Sequence, residues 1–182
     1  MQAKTVQAPE TLRALEDLQG RARAMAIVHG KLYQAHDLAR IDFGVYLKDL
    51  TSQLFLALGG RRHITLRVEA DSLFISVDTA IPCGLIINEL MTNALKYAFP
   101  KDRARNENRE NEIRVAFCMD KGEYVLTVSD NGVGMPPDLD WRTTNSLGLK
   151  LVNIWATHQL EGSIKVDAVD GTAFTIKFSR RK

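Results

Sequence analysis

The sequence is poor in cysteine and in long apolar segments. Its 182 residues include two cysteines, Cys83 and Cys118, and both stand among apolar neighbours. This pattern is typical of reduced, packed thiols in a cytoplasmic protein, because small secreted domains usually carry many cysteines in disulfides. No apolar run approaches the roughly 20 residues that a membrane-spanning helix needs, and the first residues do not resemble a signal peptide. We therefore expect a cytoplasmic chain without a membrane segment.

A large net charge is also absent. The formal net charge is +2, with 25% charged and 45% apolar residues, close to the averages of soluble globular proteins. Nucleic-acid binders usually neutralise phosphates with clustered Lys and Arg, and the basic tail Arg180–Lys182 is too short for that purpose. The composition argues against a nucleic-acid partner. The length suits one buried domain plus an appendage.

The N-terminal residues predict a long amphipathic helix. Between Pro9 and Tyr33, apolar residues recur at three- and four-residue steps with charged residues between them. These apolar residues are Leu12, Leu15, Leu18, Ala22, Met25, Val28 and Leu32. So narrow a stripe needs a partner helix, and the residues before Pro9 offer none. We expect residues 1–36 to be the second arm of a hairpin whose first arm is absent, which predicts a dimer or an exposed apolar stripe.

Helices and strands alternate in the remainder, residues 37–182. The patterns predict a helix capped by Asp42 and ended by Gly59-Gly60, one from near Pro82 to about Phe99, and one from Leu147 to about His158. Alternating apolar residues predict three pairs of strands: Ile64–Val68 with Leu73–Val77, Glu112–Met119 with Glu123–Ser129, and Gly162–Val169 with Thr172–Phe178. The polar stretch Lys101–Asn111 predicts a solvated loop. This order predicts an α+β sandwich with a mixed or antiparallel sheet and helices on one face.

The second of these helices carries an unusual polar group. At about 100° per residue, Glu89, Asn93 and Lys96 project from one side, Asn88 flanks them, and apolar residues occupy most of the remaining circumference. A carboxylate, an amide and an ammonium are costly to bury unless they meet one another or a ligand. The helix alone leaves two interpretations open, a ligand site or a surface network among the three side chains.

A glycine-containing motif favours the ligand site. Asp130-Asn131-Gly132-Val133-Gly134 directly follows a predicted strand. Its glycines allow the backbone to turn tightly beside a flat ligand, and the carboxylate at the strand end can accept a hydrogen bond from an exocyclic amine. The same residue types also form ordinary turns, so the motif gains its meaning from the polar helix before it.

Four segments, taken in order, resemble the sequence boxes of the GHKL ATPase superfamily. Asn88–Ala98 resembles the N box, Asp130–Gly134 the G1 box, Ser146–Val152 a reduced G2 box, and Gly171–Phe174 the final element of the nucleotide pocket. The superfamily includes histidine kinase catalytic domains, Hsp90, gyrase-type ATPases and mismatch-repair ATPases. The resemblance implies a two-layer α/β sandwich of the Bergerat type for residues 37–182, preceded by a long N-terminal helix.

Within that superfamily, the chain is most similar to sensor histidine kinases that have a very short ATP lid. The similarity lies in Arg21–Tyr33, Asp37–Phe43 and Ile81–Leu90. It implies transfer of the ATP γ-phosphoryl group to a histidine, a reaction catalysed mainly by alignment and charge neutralisation. It also implies the receiver domain of a response regulator as partner and a homodimer in the full-length protein.

The same resemblance implies ATP and Mg²⁺ as ligands and assigns roles to individual residues. Asp130 would accept a hydrogen bond from the adenine amine, Gly132 and Gly134 would make room for the ring, and Thr172 would contact the adenine side. Asn93 would supply an oxygen to Mg²⁺.

The remaining roles concern the phosphates and the transfer. Lys96 would offset phosphate charge, and Glu89 would polarise the nucleophile or a metal-bound water. The helix start at Leu147-Gly148-Leu149 suits an anionic phosphate. Further nucleotide contacts are implied at Asn88, Tyr97 and Met135. Ser146 departs from the family pattern, since many members have a glycine there.

The acceptor histidine is expected upstream of this sequence. In the family it lies on the first helix of the dimerising hairpin, and none of His29, His36, His63 and His158 has that sequence context. We therefore expect the chain to bind Mg·ATP without phosphorylating itself. The alternative is a partner-binding regulator of the same fold, such as an anti-sigma-factor-type serine kinase. Such regulators lack a long N-terminal helix, so residues 12–32 favour the sensor kinase.

Overall fold

The computed structural model of the chain describes residues 41–58, 63–100, 110–136, 139–144 and 146–179, together with the single helical residues Ala26 and Gly30. The predicted N-terminal helix lies almost wholly outside the described residues, as do Gly59-Gly60 and most of the predicted polar loop. Among the described residues, no helix combines the length and the apolar character that crossing a bilayer requires.

The described chain forms three helices and two sheets. The helices are α1 (Phe43–Ala57), α2 (Val77–Asn93) and α3 (Leu147–Ile154); a π-helical turn extends α2 over Ala94–Ala98 and another extends α3 over Trp155–Gln159. The strands are β1 (Ile41–Asp42), β2 (Ile64–Ala70), β3 (Phe74–Ile75), β4 (Asn111–Asp120), β5 (Glu123–Asp130), β6 (Ser163–Asp167) and β7 (Thr172–Ser179).

The main sheet has five strands in the order β2-β4-β5-β7-β6. β2 runs parallel to β4, and the other neighbours are antiparallel. Along β4, Ile113, Val115 and Phe117 are buried in one core with the apolar faces of the helices, whereas the alternate residue Arg114 is exposed and pairs with Glu69. One face of the sheet therefore carries the helices and the other carries polar side chains, which confirms the predicted two-layer α+β sandwich.

Asp42 begins α1 as predicted. Its Oδ1 accepts hydrogen bonds from the backbone N–H groups of Gly44 at 3.0 Å and Val45 at 3.2 Å, and its Oδ2 accepts one from the Ser72 hydroxyl at 2.7 Å. The carboxylate thus satisfies two of the free N–H groups at the helix start and ties the helix to the segment after β2.

The predicted pairing of Ile64–Val68 with Leu73–Val77 is wrong. β2 pairs instead with β4, and β3 is only two residues long and pairs with β1. The Asp71 N–H donates to the Phe117 carbonyl at 3.0 Å, so the chain leaves the sheet across the end of β4 and does not turn back along β2.

The start predicted for the second helix is also wrong. α2 begins at Val77, where the Ser76 carbonyl accepts from the N–H groups of Thr79 at 3.1 Å and Ala80 at 2.9 Å. Pro82 therefore lies inside the helix, where its missing N–H removes one hydrogen bond near the start. The other boundaries agree closely with prediction, including the strand pairs β4–β5 and β6–β7.

Candidate functional site

A cavity of about 420 Å³ lies where the end of α2, the end of β5 and the start of β7 meet the segment that leads into α3. Apolar side chains such as Leu90, Val128 and Phe174 form much of its wall. Its volume is within the range of small-molecule sites, which are concave, mostly apolar and supplied with a few polar groups.

The cavity brings together seven predicted site residues, six from the four sequence boxes and one, Met135, directly after the G1 box. The predicted site residues that line it are Asn93, Tyr97, Asp130, Gly134, Met135, Leu149 and Thr172. The predicted residues that do not line it are Asn88, Glu89, Lys96, Gly132, Leu147 and Gly148. Asn93 and Asp130 reach the same cavity from a helix and from a strand.

Asp130, the last residue of β5, and Thr172, the first residue of β7, are direct cross-strand neighbours. They pair in the antiparallel β5–β7 ladder, and both border the cavity. Gly171 precedes Thr172 with a φ of +91°, and a side chain there would collide with the Asp130 carbonyl oxygen. Only glycine allows β7 to begin this close to β5, so Gly171 sets the spacing of the pair.

Hydrogen bonds hold the turn after Asp130 both to the Asp130 side chain and to the start of β4. The Asp130 Oδ1 accepts from the Gly132 N–H at 2.9 Å. Asn131 accepts from the Glu112 N–H at 2.8 Å and donates to the Glu110 carbonyl at 2.7 Å, so it fixes the turn to the start of β4. The family resemblance implies no role for Asn131, but its place between Asp130 and Gly132 is typical of an asparagine that shapes a turn.

The two glycines of this turn differ in their surroundings. Gly134 has a φ of +77° and borders the cavity. At Gly132 a Cβ would lie 2.5 Å from the Cβ of Ala98, so the missing side chain makes room for the end of the helix and not for the cavity. Backbone contact between Gly132 and a nucleotide stays a prediction.

The polar residues of α2 do not share one environment. Glu89 and Asn88 are each only 3% exposed, and Asn88 Oδ1 has no hydrogen-bond partner among the described residues. Asn93 is half-buried at the cavity wall, whereas Lys96 is exposed. Lys96 lies in the π-helical turn that starts at Ala94, which has more residues per turn than an α-helix and so changes the direction of Lys96 relative to Glu89 and Asn93. The roles predicted for Glu89 and Lys96 stay predictions.

The start of α3 completes the wall. Ser146 occupies the N-cap position without a side-chain capping bond, and its own N–H donates to the Thr144 hydroxyl at 3.3 Å. Ser146, Thr144 and Leu149 border the cavity, while Leu147 is exposed and Gly148 is buried. The N–H groups of the first helical turn have no partners within the helix, an arrangement that suits an anion.

The segment before α3 also contributes residues that sequence analysis missed. Leu139 and Thr144 border the cavity, and between them Trp141 packs edge-on against Phe174 of β7, with ring centroids 5.9 Å apart. In the sequence, the only signal of this contact is one tryptophan in a short polar connection, and that signal does not identify Phe174 as the partner of Trp141.

Comparison with known proteins agrees with this geometry. Residues 78–182 match the family model described as histidine kinase-, DNA gyrase B- and HSP90-like ATPase, and residues 1–58 match one described as histidine kinase. Blue-light-activated histidine kinase 2 of Erythrobacter litoralis is 35% identical over 130 residues, which are 66% of this chain and 36% of that protein. Sensor histidine kinase PdtaS of Mycobacterium tuberculosis is 25% identical over 168 residues, which are 90% of this chain and 32% of that protein.

Solved structures have the same architecture. The histidine kinase domain from the Erythrobacter litoralis EL346 blue-light activated histidine kinase superposes with a TM-score of 0.76 at 28% identity, covering 90% of this chain and 74% of that chain. Acinetobacter baumannii histidine kinase AdeS has a TM-score of 0.65 at 16% identity, covering 95% and 82%, and shares the fold. The chain spans about a third of the length of the curated relatives. With its ordered sequence boxes, its sandwich fold and a matching model over more than half its length, the chain belongs to the family of histidine kinase-, DNA gyrase B- and HSP90-like ATPases.

Proposed function

We propose that this chain is the ATP-binding catalytic portion of a two-component sensor histidine kinase. The proposal depends above all on one observation, that Asn93 of α2 and Asp130 of β5 line the same cavity. The match of residues 1–58 to a histidine kinase model supports a kinase over other ATPases of the family.

The adenine ring is proposed to bind beside Asp130 and Thr172. Apolar neighbours such as Val128 and Phe174 suit a flat ring, and the Asp130 carboxylate accepts a hydrogen bond from its exocyclic amine. Guanine presents a carbonyl oxygen at the corresponding position, which the carboxylate would repel. The site should therefore favour ATP over GTP.

The phosphates are proposed to extend toward Asn93 and the start of α3. The donor set fits Mg²⁺, because the amide oxygen of Asn93 is a hard ligand at the cavity wall and Mg²⁺ takes its other oxygens from phosphates and water. When bound, the ion neutralises phosphate charge during transfer. The start of α3 borders the same cavity through Ser146 and Leu149, and the first turn of a helix favours negative charge.

The reaction is an in-line phosphoryl transfer. A histidine nitrogen attacks the γ-phosphorus, the bond from that phosphorus to the bridging oxygen of ADP breaks, and a phosphorus–nitrogen bond forms. Glu89 is assigned to polarise the nucleophile and take up its proton, and Lys96 to balance phosphate charge. Glu89 is 3% exposed and does not border the cavity, so this role requires a rearrangement that brings its carboxylate to the histidine.

The acceptor, the partners and the location belong to the same proposal. The acceptor histidine is proposed to come from outside these 182 residues, since His63 and His158 do not border the cavity and no histidine has the expected sequence context. The phosphoryl group then passes to a response regulator receiver domain. The full-length protein is a homodimer that works in the cytoplasm.

Calorimetry with Mg·ATP tests the binding site. The chain should bind Mg·ATP, and Asp130→Asn should weaken binding at least about tenfold, or about 1.4 kcal/mol, since a single amide oxygen cannot accept from both the Gly132 N–H and the adenine amine. Asp120→Asn is the matched control, because Asp120 and Asp130 lie at opposite ends of the β4–β5 ladder. Equal affinity of Asp130→Asn and the parent would show that the pocket is misassigned.

Labelling with γ-labelled ATP tests the reaction. The full-length gene product should acquire a phosphate that acid removes and alkali does not, the behaviour of phosphohistidine. An acid-stable phosphate would instead support the serine kinase alternative. The present chain alone should remain unlabelled while still binding Mg·ATP.

A further inference from the structure

The segment 139–144, between β5 and α3, is a turn built around Asp140. The Asp140 carboxylate accepts from the Arg142 N–H at 3.0 Å and from the Thr143 hydroxyl at 3.1 Å. Its carbonyl oxygen accepts from the N–H groups of Thr143 at 3.2 Å and Thr144 at 3.0 Å. The turn therefore holds its own shape, but none of these bonds attaches it to the sheet.

Trp141 makes that attachment. It is 8% exposed although it lies in a connection, and its ring meets Phe174 of β7 at 5.9 Å with an interplanar angle of 79°. The guanidinium carbon of Arg142 lies 4.6 Å from the centre of the same ring. Edge-to-face aromatic pairs and cation–π contacts both stabilise beyond the contribution of the apolar area they bury.

Trp141 lies beside the cavity, between lining residues of its own turn and a lining residue of β7. Leu139 and Thr144, which flank it in the turn, line the cavity, and so does its partner Phe174. Trp141 itself does not line it. A single side chain outside the cavity thus joins its wall on the sheet to its wall on the connecting segment.

We propose that Trp141 is a positioning residue for nucleotide binding: it holds the turn 139–144 against Phe174 and so keeps Leu139 and Thr144 in the binding arrangement. This inference rests on the proposed ATP site. Without the anchor, the turn keeps its internal bonds but samples more positions, and the nucleotide must offset the cost of ordering it.

Binding measured on substituted proteins separates positioning from simple stabilisation. Trp141→Ala should raise the Kd for Mg·ATP about tenfold or more, and Trp141→Phe, which keeps an aromatic partner for Phe174, should recover most of the affinity. Trp155→Ala is the matched control, because Trp155 is the chain's other tryptophan, packs partly buried against the core and does not border the cavity. It should lower the Tm and leave the Kd unchanged.

The outcomes distinguish this inference from the proposed function. A Trp141→Ala protein with a lower Tm and the parent's Kd would overturn the positioning role while leaving the ATP site intact. Failure of the parent chain to bind Mg·ATP would instead contradict the proposed ATP site.

Fluorescence gives a second test that does not require Trp141→Ala to fold. The sequence contains two tryptophans, so Trp155→Phe leaves Trp141 as the only one. Because Trp141 contacts a cavity-lining ring, its emission should change with Mg·ATP concentration and follow the calorimetric Kd. Trp141→Phe, which leaves Trp155, should show no comparable change. Constant emission from Trp155→Phe at saturating Mg·ATP would contradict the inference.

Discussion

The backbone N–H of Val133 donates to the carbonyl oxygen of Ala98 at 3.0 Å. This bond joins the π-helical turn at the end of α2 to the glycine turn after Asp130. The two elements that carry Asn93 and Asp130 are therefore fixed to each other beside the cavity. Gly132 makes the contact possible, because any side chain there would overlap Ala98.

Gly132→Ala should weaken both the fold and the site. The added Cβ would lie 2.5 Å from the Cβ of Ala98, so the turn and the helix end must separate, at a cost of about 1–3 kcal/mol in the free energy of unfolding. Urea unfolding measures this loss, and calorimetry should show weaker Mg·ATP binding. Gly122→Ala is the control: its φ of +87° makes alanine unfavourable, but nothing lies within 4 Å of the added atom. That protein should lose stability and keep its affinity.

Asn93→Ala should remove the advantage that Mg²⁺ gives to nucleotide binding. Asn93 supplies the proposed protein oxygen to the ion, so its loss should weaken Mg·ATP binding about tenfold and have little effect on ATP measured in excess chelator. The comparison is made by calorimetry in the two conditions. Thr92→Ala, at the neighbouring position of the same helix, should retain the parent's Mg²⁺ dependence. An unchanged Mg²⁺ dependence in Asn93→Ala would remove Asn93 from the metal site.

Local signals predicted the elements whose structure depends on nearby residues. Asp42 precedes an apolar helix, and its carboxylate caps that helix as the sequence predicts. The order of the sequence boxes likewise predicted that Asn93, Asp130 and Thr172 share one site, although they are distant along the chain.

Features that depend on distant partners could not be read in this way. Alternation in Ile64–Ala70 indicates a strand, and the sequence predicts the adjacent apolar run Leu73–Val77 as its partner, whereas the true parallel partner β4 follows only after a whole helix. Pro82 suggested a helix start because proline is favoured in a first turn, whereas the actual start depends on the Ser76 backbone. The packing of Trp141 on Phe174 has no periodic signal at all.

Asp42→Ala should destabilise the domain without altering the nucleotide site. The substitution leaves two helix N–H groups and the Ser72 hydroxyl without their acceptor, and losing an N-cap typically costs about 0.5–2 kcal/mol. Denaturant unfolding measures the loss, and Asp42→Asn, which keeps one carbonyl acceptor, should recover part of it. The Kd for Mg·ATP should remain that of the parent, because Asp42 does not border the cavity. Equal stability of Asp42→Ala and the parent would show that the cap contributes nothing.

Alkaline pH should destabilise the domain through a buried thiol. Burial raises the pKa of the Cys83 thiol far above its usual value. The pKa of Tyr46 is also raised, mainly by burial and to a smaller extent by the charge of the neighbouring Cys83 thiolate. Since the folded state holds the Cys83 proton more tightly than the unfolded state, its contribution is complete below about pH 8 and is lost as the pH rises above the unfolded value of about 8.5.

The size of this effect follows from linkage. One such group lowers the free energy of unfolding by at most about 1.4 kcal/mol per pH unit above that value. Cys83→Ala removes the ionising thiol, so the free energy of unfolding, measured by urea titration from pH 7 to pH 10, should fall less steeply than in the parent. The slopes are compared rather than the absolute values, because the smaller side chain also leaves a void. Cys118→Ala removes the other, half-buried thiol. If both substitutions reduced the slope equally, burial of Cys83 would not be the cause.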